Sequence, residues 1–297
     1  MVWKPPRILG MIVGILLILT LTGIDLYLIQ EMSGQPFGLN LFLTVLVTIL
    51  TLPYVGLWLY WTYHLFTLRY YLDRNEFVIL SGSTRQAIPM QTIRRITRGS
   101  DHTETAHFRG VVWPGYMWGR TELADLGTLS IHSTQPLARQ LILETDEGCY
   151  GISPAQVERF LEDFERRRSL GIMRESQPSE TRIGLAALPL WRDGHYWALL
   201  ALAFGANAAL FGWIAERYSS LATRLSIHSS VPGQVGMIIP KSSLLIVPAI
   251  GALALVVDGL IGVVLHHRER VGAWLMGLVA LGIQGVLWVA AVGIVGL

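Results

Sequence analysis

Apolar and polar positions along this chain are sorted into long blocks. Five apolar runs, Ile8–Gln30, Phe37–Phe66, Tyr196–Ala215, Ser242–Leu265 and Val271–Leu297, enclose one polar stretch, Thr67–Arg192. A helix crossing a bilayer needs about 20 mostly apolar residues, and each run supplies them. The pattern predicts a membrane α-helical protein with five transmembrane helices and one inserted polar domain. Residues 1–66 hold two spans, 67–170 the polar domain, 171–192 a linker and 193–297 three further spans.

Details within the runs refine this picture. The first run follows Lys4 and Arg7, is longer than a signal-peptide core and lacks a small-x-small cleavage site, so it reads as a retained helix. Gly10 and Gly14 share one helix face and would let a neighbour approach closely. The second run is uncharged from Pro36 to Leu68, contains Pro53, and ends in Trp58, Tyr60, Trp61 and Tyr63. Such rings favour the bilayer interface. Basic residues lie before the first run (Lys4, Arg7), in the polar block, and between the last two runs (Arg268, Arg270). The positive-inside rule then puts the N-terminus and the polar domain in the cytosol and the C-terminus outside. The expected location is the inner, plasma membrane of a bacterial cell.

The polar block changes period. Tyr70–Asp73, Phe77–Leu80 and Thr84–Ile88 are short β-prone runs separated by Arg74-Asn75 and Ser81-Gly82-Ser83 turns. Ile93 and Ile96 extend the pattern, and further strands are predicted at Arg109–Val112, Gly127–His132, Leu141–Glu144 and Cys149–Ile152. Ser153, Pro154 and Gln156 predict a helix start with a capping box. Val157, Phe160, Leu161 and Phe164 then form one apolar face. Several strands followed by one amphipathic helix predict a mainly-β barrel, or an orthogonal sandwich, capped by its C-terminal helix.

Composition narrows the function. Charged residues make up only 15% of the chain, against about 25% in soluble domains. From Arg69 to Asp193 there are 16 Arg, no Lys and 16 acids. A near-neutral block is not a general nucleic-acid binder. The single cysteine, Cys149, excludes an intramolecular disulfide and fits a reducing compartment.

Few residues suggest chemistry. The histidines show no metal spacing: His266 and His267 point about 100° apart on a helix. Gly110 and Gly115 are not followed by the Lys-Ser/Thr of a phosphate loop, and no nucleophile elbow or dinucleotide motif is present. No catalytic residue, cofactor or metal is therefore expected. Asp258 and Gln284 are polar within apolar runs, as a helix-packing pair or as part of an ion relay. Arg85, Arg94, Arg95 and Arg98 form a run uninterrupted by acids, either a solvated face or a contact for acidic lipid headgroups or a protein partner.

Two resemblances bear on the fold. Tyr71-Leu-Asp-Arg-Asn-Glu-Phe-Val-Ile-Leu-Ser-Gly82, Ile88-Pro89, Ile93-Arg-Arg-Ile96, and Tyr150-Gly-Ile-Ser-Pro154 with the helix to about Arg168 resemble bacterial pleckstrin-homology-like domains. That family implies a seven-stranded barrel capped by a helix and no single ligand. His228, Gly233 and Lys241, just before the fourth run, are similar to a loop in the membrane domain of SdpI-like immunity proteins. Ser226, Ser229 and Gly236 depart from that motif.

The sequence thus predicts a noncatalytic integral membrane protein presenting a cytosolic pleckstrin-homology-like module for binding or regulation. Membrane lipids and a protein partner or second copy are the candidate partners. The alternative is a transport or immunity-type membrane protein whose activity lies in the last three spans.

Overall fold

The computed structural model describes residues 1–102, 108–146, 148–171, 177–182, 187–227, 237–266 and 269–295. Five helices are long and apolar enough to cross a membrane. They are α1 (Ile8–Met32), α2 (Leu39–Thr67), α4 (Gly194–Arg217), α5 (Ile246–His266, extended at its start by a 3-10 turn, Lys241–Leu245) and α6 (Arg270–Val295). All five coincide with the predicted apolar runs, and α2 runs unbroken through Pro53. The chain divides into two compact units. Met1–Gly23 and Leu52–Ala187 form one; Ile24–Thr51 and Leu188–Leu297 form the other.

The first unit holds the polar domain, built from two sheets. One has the order β1-β2-β3-β4-β11, with β1 Val2–Trp3, β2 Arg69–Leu72, β3 Glu76–Ser81, β4 Thr84–Pro89 and β11 Ser179–Arg182. The other has the order β5-β9-β10-β8-β7-β6. Its strands are β5 Ile93–Arg98, β6 Arg109–Trp113, β7 Tyr116–Leu123, β8 Gly127–Ser133, β9 Leu141–Thr145 and β10 Cys149–Ile152. All pairs are antiparallel except β8 with β10.

The expected closed barrel is not formed. Pro89 ends β4, and a 3-10 turn at Met90–Thr92 carries the chain into the second sheet. Proline has no N–H to continue a ladder, so the two sheets meet through side chains. Tyr70, Phe77, Ile79, Ile93, Leu143 and Ile152 fill the space between them. Helix α3 (Val157–Ser169) closes this core with Phe160 and Phe164, both buried. Its start differs from the capping-box expectation. Gln156 is the N-cap and makes no side-chain cap, because Ser153 Oγ is already engaged, accepting the Thr134 N–H at 2.9 Å.

Tyr70 ties the layers together. Its buried hydroxyl donates to the His132 carbonyl at 2.7 Å and accepts the Ser153 N–H at 3.2 Å. Burial pushes its pKa up to about 12. The folded state therefore favours the neutral phenol, and an unfolded chain ionises near pH 10. The resulting stability is complete below about pH 10 and is lost as pH rises through 12. Tyr70→Phe should cost about 1–3 kcal/mol at neutral pH, by removing a partner from two buried backbone groups. It should also flatten the loss between pH 10 and 12. Thermal melts of the full chain in detergent across that range test both. A variant with the same alkaline slope as the parent would contradict the assignment.

In the second unit α4, α5 and α6 pack together, with the Leu39–Thr51 part of α2 against α4. Phe42 stacks on Phe211, and Gly212 faces the Phe42 ring. A short antiparallel pair, β12 (Arg224–Ile227) with β13 (Met237–Pro240), joins α4 to α5. Glycines let the helices approach. Gly262 lies against the Tyr196 ring and Gly277 against Leu199.

Candidate functional site

The four arginines of the acid-free run do not share one free face. Arg85, on β4, pairs with Glu76 of β3 at 2.7 Å. Arg94 pairs with Asp146 at 2.5 Å, and Arg95 with Glu144 of β9 at 2.7 Å. Arg98 is exposed on β5, directly opposite Leu141. Glu76 lies just before the run, whereas Asp146 and Glu144 are remote in sequence and are brought beside Arg94 and Arg95 by the β5–β9 pairing, which is why the run reads as basic only in one dimension. A bulge between Ile93 and Arg95 further separates Arg94 from the regular alternation.

Glu144 belongs to a longer polar chain. Thr97 Oγ1 donates to Glu144 Oε1 at 3.1 Å and lies 2.8 Å from His102 Nε2. His102 Nδ1 lies 2.6 Å from Asp125 Oδ2, and this bond holds the Asp125 carboxyl below its ordinary range. Hydroxyl, imidazole and carboxylate thus stand in the order of a nucleophile, its base and an orienting acid. However, Glu144 competes with the imidazole for the single Thr97 proton. The arrangement straps β5 to the β7–β8 turn. Cys149 nearby is buried, and burial pushes its thiol up, away from the reactive thiolate.

The second unit contains two buried polar networks. At one end of the helices, Asp193 caps α4 by accepting the Tyr196 N–H at 3.2 Å. It also accepts from Trp274 Nε1 at 2.9 Å and lies 2.9 Å from His266 Nε2. His266 is therefore buried. Deeper in the bundle, Asn207 Nδ2 donates to the Pro248 carbonyl and to Gln284 Oε1, both at 3.0 Å. Gln284 Nε2 donates to the Gly251 carbonyl at 2.9 Å.

Gln284 is thus the partner of Asn207 and not of Asp258. Positions 251 and 258 on α5 are separated by about 10 Å along the axis, which puts Asp258 out of reach of that amide. Asp258 is half-buried, and its Oδ2 has no partner among the described residues. Asp25 is buried and accepts from Thr51 Oγ1. His228 and Gly233 lie outside the described residues. Lys241 donates to the Tyr218 carbonyl at 3.2 Å and sits 4.6 Å from its ring centroid, so it serves the end of α4.

Residues 68–168 match the family described as Bacterial PH domain. This stretch is a bacterial PH domain. The match covers about a third of the 297-residue chain, and no curated protein and no solved structure matches the chain. No comparison shows the expected resemblance to SdpI-like proteins, and of His228, Gly233 and Lys241 only Lys241 lies among the described residues.

The feature that sequence reasoning missed is the seam between the PH domain and the spans that precede it. Strand β1 pairs with β2, and Trp3 packs edge-on to Phe160 at 5.7 Å. The β6–β7 hairpin reaches the other way. Its tip, Trp113-Pro-Gly-Tyr116, lies against Met11 and Val13 of α1 and Trp58, Trp61 and Leu65 of α2. Trp113 Nε1 donates to the Gly10 carbonyl at 3.1 Å. Gly115 has φ +86°, which suits the third position of a type II turn after Pro114. Its backbone abuts Gly10, while Gly14 faces Thr62 of α2. Gly10 and Gly14 of α1 therefore serve two different neighbours. A Pro-Gly pair between two β-prone runs was the available signal.

Proposed function

We propose that this chain is a noncatalytic, multi-pass inner-membrane protein that presents its PH domain at the cytosolic face as a binding or regulatory module. The observation that carries the reading is the seam. The domain is joined to the first two spans by a strand, a hairpin tip and a buried tryptophan, so it acts at the bilayer surface. The domain's near-neutral charge argues against nucleic acid as partner. The many satisfied polar groups among the last three helices read as packing bonds, of the kind that hold helices together in lipid. Lipids and a protein partner or second copy remain the candidate ligands.

Reporter fusions test the placement. A reporter active only outside the inner membrane should be silent after Arg168 and active after Val295; the opposite pattern overturns the topology. Proximity labelling from the PH domain of the full chain, in the native host, tests the role. A reproducible set of neighbours lost on charge reversal of exposed PH-domain residues supports the module. Neighbours and phenotype that ignore the PH domain and follow substitutions at Asp258 or Lys241 would move the activity to the last three helices.

A further inference from the structure

The β6–β7 hairpin carries a surface that the PH fold does not use. Alternation along its strands puts Arg109, Val111 and Trp113 on one face with Tyr116, Trp118 and Arg120. Read from the tip, that face begins with an aromatic pair, continues with Val111 opposite Trp118, and ends with Arg109 directly opposite Arg120. Two like charges directly across a ladder repel each other, and an anion lying between them removes the cost. On the opposite face Val112 is 62% exposed, and among the described residues it is the one large hydrophobic of the PH domain with an exposed side chain.

The level of the tip is set by the helices. Trp113 bonds to Gly10 and its ring lies 5.1 Å from that of Trp58. Trp58 precedes Thr67, the last residue of α2, by about 13 Å along the axis. Neither helix carries an Asp, Glu, Lys or Arg near the contact: the first after Arg7 is Asp25, and α2 has none, His64 being its one titratable base. A hairpin tip fixed beside these stretches is level with apolar, aromatic-rich helix. Rings in this position favour the bilayer interface. The Arg109–Arg120 pair lies about 13 Å back from the Trp113–Tyr116 pair. The headgroup layer is about 5–8 Å thick on each side of a hydrocarbon core of about 30 Å. A tip about 5–8 Å inside the hydrocarbon boundary therefore brings both guanidinium groups to the outer part of the headgroup layer, within reach of the phosphates.

We propose that the β6–β7 hairpin is a third membrane-contacting element of the first unit, beside α1 and α2, with Val112 and Pro114 in the lipid interface and Arg109 and Arg120 on lipid phosphates. The proposal rests on the membrane reading of α1 and α2 given above. It predicts that the PH domain senses lipid charge through this hairpin and not through Arg94 or Arg95, which are already paired with acids.

The test uses the full chain in nanodiscs, in a Cys149→Ala background, with single cysteines at Leu26, Val112 or Ser100 carrying an environment-sensitive fluorophore. Spin-labelled lipids should quench the probes at 26 and 112 but not at 100, and a shallow label should quench position 112 several-fold better than a deep one. In discs containing anionic lipid, Arg109→Ser with Arg120→Ser should lower quenching at 112 at least twofold, towards the value in neutral discs. Quenching at 26 without quenching at 112 overturns the hairpin proposal and leaves the membrane reading standing. Loss of quenching at both overturns the membrane reading itself. Quenching at 112 that is the same in the double variant overturns the phosphate contact.

Discussion

Gly10→Ala should destabilise the protein, against the sign that helix propensity alone predicts. Within a helix, alanine in place of glycine is favourable by about 1 kcal/mol. A Cβ at Gly10, however, falls under 3.0 Å from the Gly115 carbonyl oxygen and carbon and from a Leu65 methyl group. Two of these atoms are backbone in a tight turn and cannot rotate away. The hairpin tip must lift, and Trp113 and Tyr116 lose the surface on which they are buried. Uncovering one large aromatic side chain costs about 3–5 kcal/mol, so the net change should be a loss of several kcal/mol. Gly23→Ala is the internal control, because nothing lies within 4 Å of a Cβ there. Melting of the full chain in detergent, followed by tryptophan emission, should fall for Gly10→Ala and hold or rise for Gly23→Ala. Equal behaviour of the two would mean that the seam contributes nothing.

Gly251→Ala should act in the same direction in the helical unit. Its Cβ would lie under 3.0 Å from Asn207 Nδ2, Gln284 Oε1 and a Leu287 methyl group. The first two atoms are bonded to each other, so the intruding carbon separates them and displaces Gln284 from the Gly251 carbonyl. Interhelical hydrogen bonds in a bilayer contribute about 0.6 kcal/mol on average, and overpacking adds about 1–3 kcal/mol. Gln284→Leu, which removes the bonds but leaves Gly251 in place, should cost less. If Gln284→Leu proved the more damaging of the two, hydrogen bonding rather than close approach would hold these helices.

The helices were legible because their signal is long and local. About 20 apolar residues in a row leave few alternatives, and each boundary was found to within a few residues. The PH domain was legible as an order of strands and a final amphipathic helix, since Phe160 and Phe164 repeat at helical spacing. Its closure was not, because whether sheets close depends on pairings between strands far apart in sequence. The same reason hid the candidate sites. Arg95 is neutralised by an acid 49 positions away, and Gln284 finds Asn207 77 positions away. Polar residues reveal their type in a sequence but not their partners. Asn207 went unremarked inside an apolar run, and Asp193, at the first position of the C-terminal membrane domain, gave no sign that it anchors His266 and Trp274.

The pairing of β1 with β2 has a consequence for how the chain can thread a bilayer. Val2 lies opposite Tyr71 and Trp3 opposite Tyr70, on either side of the segment that contains α1 and α2. A strand pair cannot be divided between two aqueous compartments, so the segment between the partners must return to the side from which it left. That parity holds whichever way the charges point and admits two crossings but not one. It also sets an order of events. Residues 2 and 3 cannot find their place until both helices have been made and β2 has followed them, so one edge of the first sheet is supplied by residues synthesised before either helix.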